Sequence, residues 1–242
     1  IPIAPAAHYT MGGIPTDMNC QVLYNDQIVE GLMAIGEAAC ASVHGANRLG
    51  CNSLLDILVF GNLSGKVASG LIEQGLSAYK NNDIVDLKLN RIKEILAQEG
   101  DQSALFIKAK SKELVEKFIG VFRNKKLLEQ GLASLLELKE QLKFVKIRNK
   151  NLIWNNEIVE FIQTENLLLQ SIATAYSSLQ REESRGAHFR EDFANRDDKA
   201  WLKHSLVGFD IHNNSFDFKT KEVRVKPIGD EQIIISPEER KY

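Results

Sequence analysis

Arg48 sits in the stretch HGANRLGCNSLLD, residues 44–56, where a glycine-flanked loop runs into what reads as the start of a helix. A guanidinium is a planar fork that grips a carboxylate through two parallel hydrogen bonds; the bland alternative is an arginine that pins two backbone segments together. His8 lies in AAHYTMGGI, closely followed by Gly12 and Gly13. An isolated histidine is more often a structural hydrogen-bonding residue, but a glycine pair beside it gives the imidazole room to reach a ligand. Cation and imidazole together point to a small carboxylate as substrate. Ser53 and Leu54 open the run SLLDILVFG, which places their amides in the first turn of a helix, where unpaired N–H groups suit an electron-rich acceptor. Glu37 ends the apolar run GLMAIGE. At the carboxyl end of a strand it would accept a hydrogen bond from a sugar or ribitol hydroxyl; equally, it would cap a following helix through the dipole.

Composition narrows the field. The chain of 242 residues carries 30 Lys and Arg against 32 Asp and Glu, a net charge of -2, which excludes a general nucleic-acid binder that depends on a basic field. Small anions need only local cations and remain open. The 3 cysteines, Cys20, Cys40 and Cys51, have no paired spacing, so neither a disulfide framework nor a zinc site is expected and a reducing compartment is. His204 and His212 lack a third ligand nearby, so no metal is expected. GNLSGKVAS has one residue too few between its glycines for a phosphate loop and carries Val67 where a Mg²⁺-binding hydroxyl belongs. No GxGxxG occurs. Gly61 cuts off LLDILVF, and Glu37 interrupts GLMAIGEAACASV, so no apolar run of the roughly 20 residues that span a bilayer is expected. The opening IPIAPAAHYT, with no initiator Met, charged leader or signal-peptide pattern, reads like the middle of something longer.

These residues need elements to position them. Residues 1 to about 75 hold most of the glycines and all the cysteines between short apolar runs, which is turn-rich βα material. From about 82 to 182 the pattern is helical: Val85, Leu89, Ile92 and Leu96; then Leu128, Leu132, Leu135, Leu138 and Leu142; then Phe161, Leu168, Ile172, Ala175 and Leu179. Asp83, Ser111, Asn124 and Asn155 are the candidate N-caps, with IRNKNLIWNNE connecting two helices. Beyond these, SFDFKTKEVRVKPIGDEQIII alternates around a Lys-Pro-Ile-Gly turn and predicts a small hairpin or edge strand. Arg185, His188, Arg190, Glu191 and Asp192 form a dense charged group. It is read first as an ion-pair network between helical and glycine-rich parts, and second as a surface facing a partner or cofactor.

HYTMGGI, GLMAIGEAACASVHGANRLGCNSLLD and SRGAHFREDFANRDDKAWLKHSL, in that order, resemble the C-terminal part of the flavoprotein subunit of succinate dehydrogenase and fumarate reductase. The resemblance covers essentially the whole chain. It implies an α+β fold: the end of a capping domain at residues 1–28, the closing part of an FAD-binding α/β domain at 29–78, a helical bundle domain at 79–185, and a small β-containing C-terminal segment at 186–242. It implies that His8 and Arg48 hold the dicarboxylate, Glu37 binds the flavin, and Ser53 and Leu54 contact it through the backbone. The family's proton-shuttling arginine, flavin-linking histidine and dinucleotide domain have no counterpart here, so no catalytic residue is assigned.

By the same resemblance, succinate is oxidised to fumarate with FAD, and electrons leave through an iron-sulfur subunit to quinone. The location implied is peripheral, at the cytoplasmic face of the inner membrane or the mitochondrial matrix face, with membrane anchor subunits as indirect partners. This chain alone is expected to be inactive, with FAD absent or weakly bound. Cys51 replaces the family's usual glycine, and GNLSGK a segment that commonly begins Gly-Arg. L-aspartate oxidases share the HYTMGG and HGANR pattern and form one alternative. An interaction module that docks an iron-sulfur subunit or an assembly factor is another.

Overall fold

The computed structural model describes residues 8–77, 81–210, 215–226, 232–233 and 238. The strands come first and last, with the helices between. β1 (Ile14–Pro15) pairs in parallel with β4 (Ala39–Cys40), in the register Ile14 to Ala39 and Pro15 to Cys40. Between them, β2 (Gln21–Tyr24) and β3 (Gln27–Met33) form an antiparallel hairpin. Its two-residue turn, Asn25-Asp26, has both φ values positive, a backbone that short polar side chains tolerate and that matches strand twist. The expected α+β class is what the structure shows.

α1 runs unbroken from Asn52 to Glu73, through Gly61, where the sequence reading ends the apolar run. An isolated helical glycine lowers stability without stopping a helix. By length and composition α1 is therefore apolar enough to cross a membrane, which the sequence reading did not expect, and only 6% of its span is buried. Leu54, Leu55, Leu58 and Val59 lie exposed along it.

The helical part packs on the expected stripes. α3 (Ala104–Ile119), α4 (Lys125–Gln141) and α5 (Asn156–Gln180) bury Ile107, Leu128, Leu135, Phe161, Leu168 and Ile172 against one another. Each such side chain contributes about 1.5–3 kcal/mol relative to exposure. α2 (Asn82–Ala97) engages only by its far end: Ile95 is buried and Ile92 and Leu96 pack on the core, whereas Val85 and Leu89 are exposed.

Asn124 and Asn155 cap α4 and α5 as expected. The caps of α2 and α3 are Asn81 and Ser103, whose side-chain oxygens accept from the Ile84 and Phe106 amides. Asp83 instead lies inside the first turn of α2, and Ser111 is buried in mid-α3. A cap must sit in extended backbone with its oxygen facing the N2 or N3 amide, a geometry the sequence pattern does not register.

A short helix, α6 (Asp198–Trp201), precedes β5 (Lys203–Asp210), which pairs with β6 (Ser215–Glu222) along its whole length. The expected strand over SFDFKTKE therefore forms and pairs with KHSLVGFD; most of the segment beyond the Lys-Pro-Ile-Gly turn lies outside the described residues. Of that turn, Pro227 to Gly229 lie outside the described residues, as does His212. Phe216 seats the hairpin on α5 beside Tyr176.

Asn155 accepts from the Glu157 and Ile158 amides and donates to the Asn149 and Asn151 carbonyls. Asn155→Ala is expected to lower unfolding stability by about 1–2 kcal/mol in urea melts, and Asp83→Ala by less than about 0.5 kcal/mol.

Candidate functional site

The loop of residues 8–13 lies against the turn at residues 36–38. The Thr10 amide donates to Glu37 Oε1 at 2.9 Å. Gly13, at φ 133°, passes so close that a Cβ there would stand 2.6 Å from the Ala38 carbonyl oxygen, so only glycine fits. Glu37 sits in a single 3₁₀ turn, Gly36–Ala38, that follows β3 and leads into β4. No long helix follows for it to cap, so the dipole reading loses its footing; its carboxylate instead holds the loop that carries His8.

The 44–51 loop meets the same place. The Arg48 guanidinium lies over the Tyr9 ring, 4.8 Å from its centroid, which brings Arg48 beside the residue next to His8. The His44 ring meets Tyr9 edge to face at 5.8 Å and 80°, while its Nε2 lies 3.0 Å from Asp56 Oδ2 in the first turns of α1. His44 Nδ1 and Arg48 Nε are both buried with no hydrogen-bond partner among the described residues. Burial pushes the Tyr9 hydroxyl pKa up, with Asp56 and Glu37 adding to the effect and Arg48 opposing it, so the phenol stays neutral. His8 itself is exposed.

At the start of α1, Asn52 N–H donates to the Leu49 carbonyl and Leu54 N–H to Cys51. The Leu54 amide is therefore occupied, contrary to the sequence expectation, and the Ser53 N–H is the one with no backbone partner among the described residues. Cys51, the N-cap, has φ 66°, a left-handed conformation that costs a side-chain-bearing residue about 1 kcal/mol.

The segment of residues 181–198 braces this loop from behind through its backbone. Ala187 N–H donates to the Ala46 carbonyl at 3.0 Å, and Gly186, at φ 59°, approaches so closely that a Cβ would lie 2.5 Å from that same oxygen. Arg190, 1% exposed, donates to the Ser178, Leu179 and Arg181 carbonyls at the end of α5 and grips Asp192 with both arms at 2.8 Å. Asp192 in turn accepts the Lys125 amide at the start of α4, and Arg123 donates to the Ile119 and Gly120 carbonyls ending α3. Cations thus meet helix C-termini and an anion meets an N-terminus, the signs that the dipoles favour.

Glu183 is fully buried and receives Arg181, Arg185 and the Asp197 amide. Burial alone would raise its pKa, but the hydrogen bonds from Arg185, the Asp197 amide and Arg181 leave it below the usual carboxylate range. Asp192 is held at about 2, chiefly by its hydrogen bonds from Arg190. The cluster is an ion-pair network, but its pairs join residues 181–198 to one another and its other bonds go to the helix ends; the glycine-rich part is met instead by backbone, at Gly186 and Ala187.

Residues 108–242 match the family model described as fumarate reductase flavoprotein C-term, and residues 1–54 match an FAD binding domain model. The chain belongs to the succinate dehydrogenase and fumarate reductase flavoprotein family. It is 40% identical to the succinate dehydrogenase flavoprotein subunit of Rickettsia bellii over 100% of its own length and 41% of that relative's. It is 36% identical to the fumarate reductase flavoprotein subunit of Escherichia coli over 86% of this chain and 34% of that one. A solved structure of a mutant E. coli quinol fumarate reductase superposes with a TM-score of 0.85 at 32% identity, covering 96% of this chain and 40% of that chain. The chain thus spans about 40% of the length of such family members.

Within this family member, the sequence-predicted residues fall around one junction: Arg48 stacks on Tyr9, Glu37 holds Thr10, and Ser53 opens the helix behind the Arg48 loop. Sequence reasoning missed Tyr9, His44 and Asp56. A histidine in a loop and an aspartate twelve positions on in a helix share no element whose period would pair them. The one usable signal was Asp56 within the apolar run LLDILVF that opens α1.

His188 Nδ1 faces Arg123 at 3.1 Å and Nε2 faces the Arg181 carbonyl at 3.2 Å. Arginine only donates, so Nδ1 accepts and Nε2 carries the proton: the ring is neutral. Burial lowers its pKa to about 4, with Arg123, Arg181 and Arg190 reinforcing the shift against the Arg181 carbonyl. An unfolded histidine titrates at about 6.5 and takes up its proton first, so stability falls as pH drops from about 6.5 to about 4, by up to about 3 kcal/mol. In His188→Asn that component of the slope disappears, read by urea melts across this pH range.

Proposed function

We propose that this chain supplies the dicarboxylate clamp and one wall of the flavin site of a flavoprotein that interconverts succinate and fumarate. The observation that carries the reading is the contact of Arg48 with Tyr9, which gathers the loops bearing His8 and Arg48 at one place. A guanidinium without an ion pair among the described residues suits a substrate carboxylate, and an exposed imidazole nearby suits a second. Charge and orientation together fix where the reacting carbons lie.

The flavin-facing residues fit their assignment. The Ser53 N–H at the start of α1, without a backbone partner among the described residues, can donate to a ring carbonyl, and the exposed Glu37 can accept from a ribitol hydroxyl while Oε1 holds Thr10. Leu54 fits less well through its amide, which Cys51 already occupies. FAD, when bound, supplies the redox chemistry by accepting hydride from the substrate. This chain's residues bind and orient the diacid.

In this reading electrons pass to an iron-sulfur subunit and then to quinone, at a peripheral site on the membrane with anchor subunits as indirect partners. The exposed apolar length of α1 supports a larger assembly in which further flavoprotein polypeptide covers it, since an uncovered patch of that kind marks an interface. Residues 184–188 are committed to internal contacts with Ala46 and Glu183, so they are poor candidates for docking an assembly factor.

The isolated chain is expected to oxidise no succinate and to carry no stoichiometric flavin, checked by activity and visible absorption. In the complete flavoprotein, Arg48→Gln is expected to lower kcat/KM for succinate by roughly 10²-fold or more, because a charged bidentate contact is lost. Turnover of L-aspartate in preference to succinate by the unmodified protein would instead establish the oxidase reading.

A further inference from the structure

We infer that Tyr9 is a positioning residue for the diacid: its ring, braced by the His44 imidazole that Asp56 anchors, is the shelf that aims the Arg48 guanidinium. The inference rests on the proposed dicarboxylate clamp and extends it to residues that do not themselves touch substrate.

Among the described residues the Arg48 guanidinium makes no hydrogen bond or ion pair, and its Nε is buried without a partner. Its direction is therefore set by what it lies on, the Tyr9 face at 4.8 Å. A guanidinium is weakly hydrated and flat, so an aromatic face holds it without using its donors. The donors on its two Nη atoms stay available to a carboxylate. An aspartate in the place of Tyr9 would hold the arginine more firmly and neutralise it; a phenyl face holds it and leaves the charge.

The shelf is itself fixed from the other side. Asp56 is buried on α1, with its side chain 6% exposed, and accepts from His44 Nε2 at 3.0 Å. That bond places the proton on Nε2 and sets the plane of the ring, which meets Tyr9 edge to face. Nδ1 is left buried and unpartnered, a cost that a surface histidine would avoid by turning to water. The ring keeps this orientation because Asp56 and Tyr9 define it together. Asp56, His44, Tyr9 and Arg48 thus form one stack running from the start of α1 to the clamp. The Ala187 bond to Ala46 holds the loop between His44 and Arg48 in register with it.

The test measures malonate binding by calorimetry in the complete, flavin-loaded flavoprotein, beside succinate kinetics. Tyr9→Leu removes the aromatic face and is expected to raise the malonate Kd by about 10-fold, the worth of a partly desolvated cation–π contact. The succinate KM should rise in parallel, while melting temperature and flavin content hold. Tyr9→Phe keeps the face and should restore affinity to within about 2-fold. His44→Leu, which keeps bulk but loses the Asp56 anchor, should weaken malonate in the same direction. If unmodified protein does not bind malonate, the clamp reading fails and takes this inference with it. If it binds and folded Tyr9→Leu binds equally well, the clamp stands and only the inference falls. Should Tyr9→Leu not fold, the comparison of His44→Leu with unmodified protein decides: weakened binding supports the stack, unchanged binding overturns it.

Discussion

A cation resting on an aromatic face, beside an imidazole that meets the same ring edge on, joins the two loops of the site. Arg48 over Tyr9 is worth about 0.5–2 kcal/mol by itself, too little to hold the loops if each were free. The contact persists because each loop is pinned independently. Glu37 and the close passage of Gly13 over Ala38 fix the first. Asp56, through His44, and the Ala187 amide on the Ala46 carbonyl fix the second. With backbone entropy already spent in forming these anchors, a weak directional contact can set the aim of a strong charge.

Behind the second loop stands a cluster of buried charge that would be expensive if its members were unpaired. Glu183 and Arg190 lie fully inside, yet Glu183 accepts from two guanidinium groups and one amide, and Arg190 reaches three helix-ending carbonyls and a carboxylate. Such a network adds little net stability beyond what apolar packing would give. Its directional bonds do allow few other arrangements of the ends of α3, α4 and α5. Gly186 and Ala187, which follow directly on this cluster, carry its placement to the Ala46 carbonyl in the Arg48 loop.

Periodic features were legible in the sequence, and contacts between distant loops were not. The Leu128 to Leu142 and Phe161 to Leu179 stripes follow directly from a repeat of 3.6 residues. So do the caps at Asn124 and Asn155, which sit where a stripe begins. Asp83 and Ser111 misled because acceptor side chains near a helix start look alike in sequence, and only backbone conformation separates Asn81 and Ser103 from them. Gly61 looked like a stop, but α1 runs straight through it, since one helical glycine costs only about 1 kcal/mol. β6 alternated as a strand should, and nothing local announced β5 as its partner. At the site, Arg48, His8, Glu37 and Ser53 stood out by residue type and glycine context, whereas Tyr9, His44 and Asp56 matter only through a fold that brings them together. Cys51 adopts a left-handed φ where the family's usual residue is glycine, so the departure noted in the sequence falls at a position with a real backbone demand.

The central claim is that Arg48 and His8 converge on one diacid beside the start of α1. A crystal structure of the complete, flavin-loaded flavoprotein with malonate bound tests it most directly. The account predicts one malonate with a carboxylate bonded by both arms of Arg48, the other carboxylate within hydrogen-bond distance of His8, and the Tyr9 ring still under the guanidinium. Malonate bound away from Arg48, or Arg48 paired with a protein carboxylate while His8 faces a different cavity, would contradict it.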